Sequence, residues 1–299
     1  MLLVAVLAKL LSRSRAPIVY EVLDIRGVFI GKGLAGRVFR FAERALMKAS
    51  SLLVVSAPEY ISRYFVPYQR FDGAWFLLEN KLPGPMAGTA ALIPRLSLPP
   101  GPPWVIGMFG VLRCARSFDI LCKLAERLGD KVKIYLRGVP SETDIPLARI
   151  EAACAAHPNV IFDGPYNNPQ DLSDIYGRIH FIWTADYLDA GGNSDWSLTN
   201  RIYEGGLMGA VLISAKGLAT GRMIEEKGLG FIIGEPIEES AAELIEGMTA
   251  ERFLAAQVRL RAAEPSLFID ETDTLRLMTL LRRLAQGNLT QRGDLTNVS

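Results

Sequence analysis

The sequence predicts two doubly wound α/β domains joined by a short linker. Three observations carry that prediction. Short apolar runs rich in Val, Ile and Leu alternate with stretches of helical periodicity along almost the whole chain, the pattern of parallel strands joined by right-handed crossovers. The alternation breaks once, where seven of the 17 prolines fall between Pro83 and Pro103, around GPMAGTAALIPRLSLPPGPP. At 299 residues, 49% hydrophobic and 22% charged, the chain has material for two ordinary cores.

The elements follow in order. The apolar stretch at 2–13 reads as a core helix: it has no basic leader, Lys9 interrupts it, and a membrane span takes about 20 apolar residues. The strand PIVYEVLD (17–24), a long helix over 35–49, the strand SLLVVS (51–56), a helix over 58–65 and the strand AWFLLEN (74–80) complete a first domain, 1–83. In the long helix Val38, Phe41, Ala42, Ala45 and Leu46 share the face expected to pack inward, with Arg37, Arg40, Arg44 and Lys48 opposite. Residues 84–103 form the linker. The second domain, 104–270, holds the strands WVIGMFG, KVKIYLRG, NVIFDG, HFIWTAD, AVLISA and GFII, with a helix over 117–129 and helical stretches between the others. Asp270 is placed to cap a last helix, 271–286, and 287–299 is a loose tail. Its two Asn-x-Ser/Thr matches carry no weight without a secretory signal.

Charge and composition narrow the partners. The net charge of +1 creates no global field for nucleic acid, so none is expected. Residues 1–50 nevertheless hold nine Lys/Arg against three Asp/Glu, a local +6 that leaves −5 elsewhere. Such asymmetry points to an acidic partner, an anionic membrane surface included. Three cysteines and two histidines are too few and too scattered for a zinc or iron–sulfur site, and no Asp-x-Asp occurs to clamp a metal–diphosphate. No metal and no cofactor are expected.

Two doubly wound domains in tandem present the carboxyl ends of two sheets, where ligands bind in such folds. Asn200-Arg201-x-x-Glu204 follows the loop AGGNSDWSLT after the strand HFIWTAD. Thr199 or Asn200 can cap the helix that starts there, and free N–H groups at its start suit a phosphate or a hydroxyl-rich ligand. Glu204, one turn in, can accept from vicinal hydroxyls; the plainer reading is an acid favouring the helix dipole, with Arg201 solvated. Gly107 and Gly110 lead into Arg113 and Arg116, read as the first strand-to-helix turn of the second domain. Two arginines there can straddle a diphosphate, although the turn lacks the G-x-G-x-x-G of dinucleotide-binding sites. In the first domain Asp24 ends a strand at the carboxyl edge, as a site carboxylate or as a turn residue.

Four stretches together resemble the retaining glycosyltransferases of the large GT-B family four: YEVLDIRG, ERALMKASSLLVVSAPEYI, WVIGMFGVLRCARSFDIL, and NRIYEGGLMGAVLISAKG followed by GLGFII. The resemblance implies two Rossmann-like domains and metal-independent transfer of a hexose from a nucleotide-sugar to a polysaccharide or lipid-linked acceptor, with retention. A protein of the cytoplasm is expected, and the basic first fifty residues with the helix over 35–49 suggest a peripheral place on the inner face of the plasma membrane. The resemblance places the ribose hydroxyls on Glu204 and the diphosphate on Arg113 and Arg116, with Asn200 and Arg201 beneath the donor. Gly110 and Thr199 join the candidate donor site. Asp24, at the carboxyl edge of its strand, is the candidate catalytic carboxylate, with Arg113 the other catalytic candidate. The family often carries a second Glu eight residues before the ribose Glu; that position is Trp196 here, so Asp195 or backbone amides take over the hexose contacts. A complete first domain of this kind opens with a strand and a glycine-rich turn that the sequence lacks, so the first domain is expected to be incomplete at its N-terminus. Two other functions fit the residues: another GT-B enzyme such as a nucleotide-sugar epimerase, and a non-catalytic nucleotide-sugar-binding partner.

Overall fold

A computed structural model describes residues 1–84 and 98–286. Most of the expected linker and the tail with its two Asn-x-Ser/Thr matches lie outside the described residues. The chain forms two compact units. Unit 1 takes Met1–Asn80, Gly191–Leu198 and the segment from Glu271; unit 2 takes Lys81–Ala190 and Thr199–Asp270. Two short pieces of the second half of the sequence therefore pack with the first, which the expected boundaries had kept apart.

Unit 2 is built on six parallel strands. They are β5 (Trp104–Leu112), β6 (Val132–Pro140), β7 (Val160–Phe162), β8 (Phe181–Trp183), β9 (Val211–Ala215) and β10 (Gly230–Ile233), in the order β10-β9-β8-β5-β6-β7. The strands read as unbroken apolar runs because a parallel sheet is covered on both faces. Ile106, Ile134, Phe181, Trp183, Val211 and Ile213 are all 1% exposed or less, each such side chain contributing about 1.5–3 kcal/mol of transfer free energy. After β5, the helix α5 (Ala115–Leu128) buries Phe118, Leu121, Leu124, Ala125 and Leu128, one stripe at three- and four-residue spacing. β4 (Leu82–Pro83) pairs with β11 (Ile269–Asp270) at the edge of this unit. Asp270 thus lies in a strand, and Thr272, not Asp270, stands at the start of the last helix.

Unit 1 is a three-stranded parallel sheet, β1 (Val19–Val22), β2 (Leu52–Val55) and β3 (Trp75–Leu77), in that order. The last helix, α13 (Asp273–Ala285), lays Leu277, Leu280, Leu281 and Leu284 on Leu52, Val54 and Phe76. On the other core lie Ile18, Val22, Leu53, Val55, Tyr60, Tyr64 and Phe65. Tyr60, Tyr64 and Phe65 come from α4, a helical run of Pro58–Tyr60, a π turn at Ile61–Phe65 and Val66–Gln69.

Two helices of unit 1 correct the sequence reading. The N-terminal helix α1 (Leu2–Ser12) is not a core helix: Leu2 is buried, while Leu3, Val4, Leu7, Leu10 and Leu11 are exposed. The helix α3 (Leu34–Met47) is turned over. It buries Gly36, Glu43 and Met47, and leaves Val38 and Phe41 at 57% and 73% exposed. Polar chemistry decides the orientation. Glu43 accepts from Tyr20 (2.7 Å), Tyr64 and Gln69 inside the unit. Arg40 donates to the carbonyls of Phe29 (2.7 Å) and Gly31 (2.8 Å). Gly36 packs so closely that a Cβ there would collide with the Gly31 carbonyl.

Candidate active site

The strand order of unit 2 fixes where a ligand belongs. From β5 the chain moves outward through β6 and β7, and then returns to the other side of β5 with β8, β9 and β10. Between β5 and β8 the order reverses, and the crevice beyond the carboxyl ends of those two strands is the binding position of a doubly wound sheet. The segment after β5 carries Arg113. The segment after β8 leads to α9 (Asn200–Met208), which carries Arg201 and Glu204.

The helix α9 is locked in place by its glycines. A Cβ at Gly205 would meet Ile182 of β8, and one at Gly206 would meet the ring of Phe268. That close seat holds Glu204 at 8% exposure. Its carboxylate accepts from Asn168 Nδ2 at 3.0 Å and from the Tyr176 hydroxyl at 3.0 Å. Burial raises its pKa above the ordinary carboxylate value, against the lowering effects of Tyr176, Asn168 and the Arg201 charge. Each carboxylate oxygen can accept two hydrogen bonds, and among the described residues each accepts one.

Arg201 is not the solvated cation of the plainer reading. It is half-buried; its Nη1 approaches the Phe109 carbonyl of β5 at 3.5 Å, and its Nε is buried without a partner. Its charge also reaches Tyr166 and Tyr176. Burial, with Glu204 next, pushes the Tyr166 phenol up to about 12. Burial also raises Tyr176 well above the ordinary phenol value, followed by the charge of Glu204, by Tyr166 and by its hydrogen bond to Glu204. Thr199 stands at the start of α9 without capping it; its hydroxyl donates to the Thr184 carbonyl at 3.3 Å. No side chain caps α9, and Asn200 at its first position is exposed. The side-chain capping expected of Thr199 or Asn200 is therefore absent, and the Ile202 N–H donates to the Thr199 carbonyl at 3.0 Å instead.

The expected glycine turn lies further along the chain. β5 runs on to Leu112, so Gly107 and Gly110 are strand residues, not turn residues. A Cβ at Gly107 would meet Ile179 and Phe109, which makes it a packing glycine. Gly110 has φ 103°, pairs with Gly138 (φ 134°), and a Cβ at Gly138 would collide with the Gly110 carbonyl. Only glycine fits both positions. Arg113 is exposed just before α5, and its charge helps lower the Asp144 carboxyl, which is held down first by hydrogen bonds from Ser141 and Thr143. Arg116 is occupied differently: its guanidinium lies 4.4 Å over the Tyr187 ring and pairs with Glu235 at 3.1 Å.

The remaining candidates belong to unit 1. Asp24, exposed beyond the end of β1, accepts from Asn193 Nδ2 at 2.9 Å. Asp195 accepts from the Gly191 N–H at 3.2 Å, and Trp196 packs against the unit 1 core. The structure thus groups Thr199, Asn200, Arg201 and Glu204 with the turn of Arg113, and groups Asp24 with Asp195 in the other unit. Sequence reasoning missed Asn168, Tyr176 and Asn193. An Asn in NNPQ or a Tyr inside a helix has no distinguishing spacing, and only the fold shows what they hold. Among the described residues no cluster of three His, Cys, Asp or Glu could hold a metal. His180 is structural: its Nδ1 accepts from the Val105 N–H at 3.0 Å, its Nε2 faces the Pro99 carbonyl, and burial lowers its pKa.

No protein-family model matches the chain. The succinoglycan biosynthesis protein ExoL of Rhizobium meliloti (strain 1021) is 36% identical over 289 residues, 95% of this chain and 70% of ExoL. Among solved structures, Anabaena HepE in complex with UDP and glucose matches with a TM-score of 0.67 at 15% identity, over 97% of this chain and 75% of HepE. The sucrose-phosphate synthase of Thermosynechococcus elongatus matches with a TM-score of 0.62 at 17% identity, over 94% of this chain and 71% of the synthase.

Proposed function

Because the chain belongs to the exopolysaccharide-biosynthesis family of ExoL and has the GT-B fold of glycosyltransferases, we propose that it transfers a hexose from a nucleotide-sugar to a glycan or lipid-linked saccharide. The donor is a uridine diphosphate hexose, the configuration is retained, and no metal takes part. One observation carries this reading: the buried carboxylate of Glu204, oriented by Asn168 and Tyr176 beside the uncapped start of α9. The ribose hydroxyls donate to the free positions of that carboxylate. The diphosphate lies over the N–H groups of α9, with Arg113 and Arg201 as its cations.

The chemistry follows from where charge develops. As the glycosidic bond breaks, negative charge grows on the departing diphosphate, and fixed donors stabilise it more in the transition state than in the ground state. Asp24 faces the acceptor, with an oxygen for the attacking hydroxyl. The test is proton NMR of UDP-glucose turnover with water as acceptor, in the presence of EDTA. First-formed α-glucose is expected. β-Glucose would remove retention from the proposal, and loss of turnover in EDTA would remove metal independence. An epimerised nucleotide-sugar would favour the epimerase, and binding without turnover the non-catalytic partner.

The acceptor reaches the protein on an anionic membrane surface. Supporting this, α1 exposes Leu3, Val4, Leu7, Leu10 and Leu11, and α3 exposes Leu34, Val38, Phe39 and Phe41 beside Arg37, within a segment of local charge +6. Each basic residue near an anionic leaflet contributes about 1 kcal/mol. No helix among the described residues is long and apolar enough to cross a membrane. Co-sedimentation with anionic vesicles that falls as salt rises is expected; equal recovery with neutral vesicles would end this part of the proposal.

A further inference from the structure

The segment Gly191–Leu198 packs with unit 1, although the chain on both sides of it belongs to unit 2. Trp196 and Leu198 anchor it on the unit 1 core. Its short helix α8 (Asn193–Trp196) starts with a side chain that makes three hydrogen bonds to unit 1. Asn193 Oδ1 accepts from the Ile25 N–H at 2.8 Å and from the Tyr60 hydroxyl at 2.9 Å, while Nδ2 donates to Asp24 Oδ1 at 2.9 Å. The Tyr60 hydroxyl also lies 2.9 Å from the Leu23 carbonyl, which Ser56 Oγ reaches at 3.2 Å. The exit of β1 is thereby tied to α4 through one amide.

We propose that Asn193 is the positioning residue for the Asp24 carboxylate, fixing one of its oxygens and leaving the other to serve the acceptor hydroxyl. The inference rests on the reading of Asp24 as the acceptor-side carboxylate. An amide suits the task because it supplies a donor to Asp24 and an acceptor to Ile25 and Tyr60 from one rigid plane. It carries no charge, so it orients the carboxylate without neutralising it, as a Lys or Arg would. Asp24 is exposed, and its other oxygen has no hydrogen bond among the described residues.

A double-mutant cycle tests the claim, with UDP-glucose as donor, water as acceptor, and calorimetry of UDP-glucose binding alongside. Asn193→Asp keeps the oxygen that serves Ile25 and Tyr60, but replaces the donor to Asp24 with a second carboxylate. It should lower turnover at saturating donor about tenfold and leave the Kd for UDP-glucose within about twofold. In an Asp24→Asn background the same change should cost less than about twofold, because the group it acts through is gone. Asn193→Ala should behave like Asn193→Asp against wild type, and if it fails to fold the Asp variant still decides. Equal losses in both backgrounds, or a Kd that rises in step with the fall in turnover, would overturn the role of Asn193 alone. Wild-type protein that never turns over UDP-glucose would overturn the transferase reading, and this inference with it.

Discussion

Glu43 in unit 1 and Glu204 in unit 2 are both 8% exposed, and burial raises the pKa of both. Their surroundings differ. Glu43 accepts from three neutral donors, Tyr20, Tyr64 and Gln69, all from inside its own unit. Glu204 accepts from two, stands close to the charge of Arg201, and lies one turn into a helix that follows β8, beside the point where the sheet order reverses. The first carboxylate closes a network that holds α3 with Glu43 inward. The second is oriented by two donors next to a guanidinium, in a helix beyond the sheet's switch point. Burial by itself therefore does not single out a candidate site; a neighbouring cation and the place in the sheet order do.

The largest effect expected from this contrast is on stability. Glu43→Ala leaves two hydroxyls and an amide of unit 1 without their acceptor, at about 1–3 kcal/mol for each unsatisfied group. Because the three losses overlap, about 2–4 kcal/mol is expected in urea unfolding of that unit. Glu204→Ala should cost about 1–2 kcal/mol, since the exposed Asn168 can turn to water. Equal costs would erase the distinction between staple and site.

Next comes catalysis. Arg113→Ala should lower turnover at saturating UDP-glucose by at least about tenfold, or 1.4 kcal/mol. Arg113→Lys should recover part of it, because a point charge lacks the two-pronged geometry of the guanidinium. If affinity falls and turnover does not, Arg113 is a binding anchor only. Arg116→Ala should change either by less than about threefold, since its guanidinium is already held by Tyr187 and Glu235.

The pH dependence has a definite sign. A carboxyl whose folded-state pKa is raised binds its proton more tightly when folded, so its contribution to stability is present at low pH and lost as pH rises through the raised value. For Glu43 the window runs upward from the ordinary carboxylate range. The stability difference between wild type and Glu43→Gln should widen against wild type as pH rises through it. A flat difference would mean that the network does not desolvate the carboxylate.

Much of this was legible in the sequence. The strand β9 and the helix before it follow from NRIYEGGLMGAVLI, because the two glycines and the apolar run leave few other seats for the segment. The six strands of unit 2 were visible as apolar runs, since a sheet covered on both faces needs no alternation. The orientation of α3 was not visible. Its apolar positions name an inward face, yet hydrogen bonds of Glu43 and Arg40 with partners distant in the chain override that pattern. Nor could spacing show that β5 runs on past Gly110 to Leu112, that Arg116 is already paired, or that Asn168 and Tyr176 converge on Glu204. Those facts depend on long-range contacts, and periodicity reports only local ones.

The central claim is that Glu204, and not Glu43, receives the donor. Calorimetric titration of UDP-glucose onto wild type, Glu204→Gln and Glu43→Gln tests it most directly. A charged acceptor contributes about 1.5–3 kcal/mol per hydrogen bond, so Glu204→Gln should weaken binding about ten- to a hundredfold. Glu43→Gln should leave affinity unchanged. Wild-type affinity should also fall as pH drops through the raised pKa of Glu204, and that dependence should vanish in Glu204→Gln. Unchanged affinity in Glu204→Gln, or an equal loss in both variants, would contradict the account.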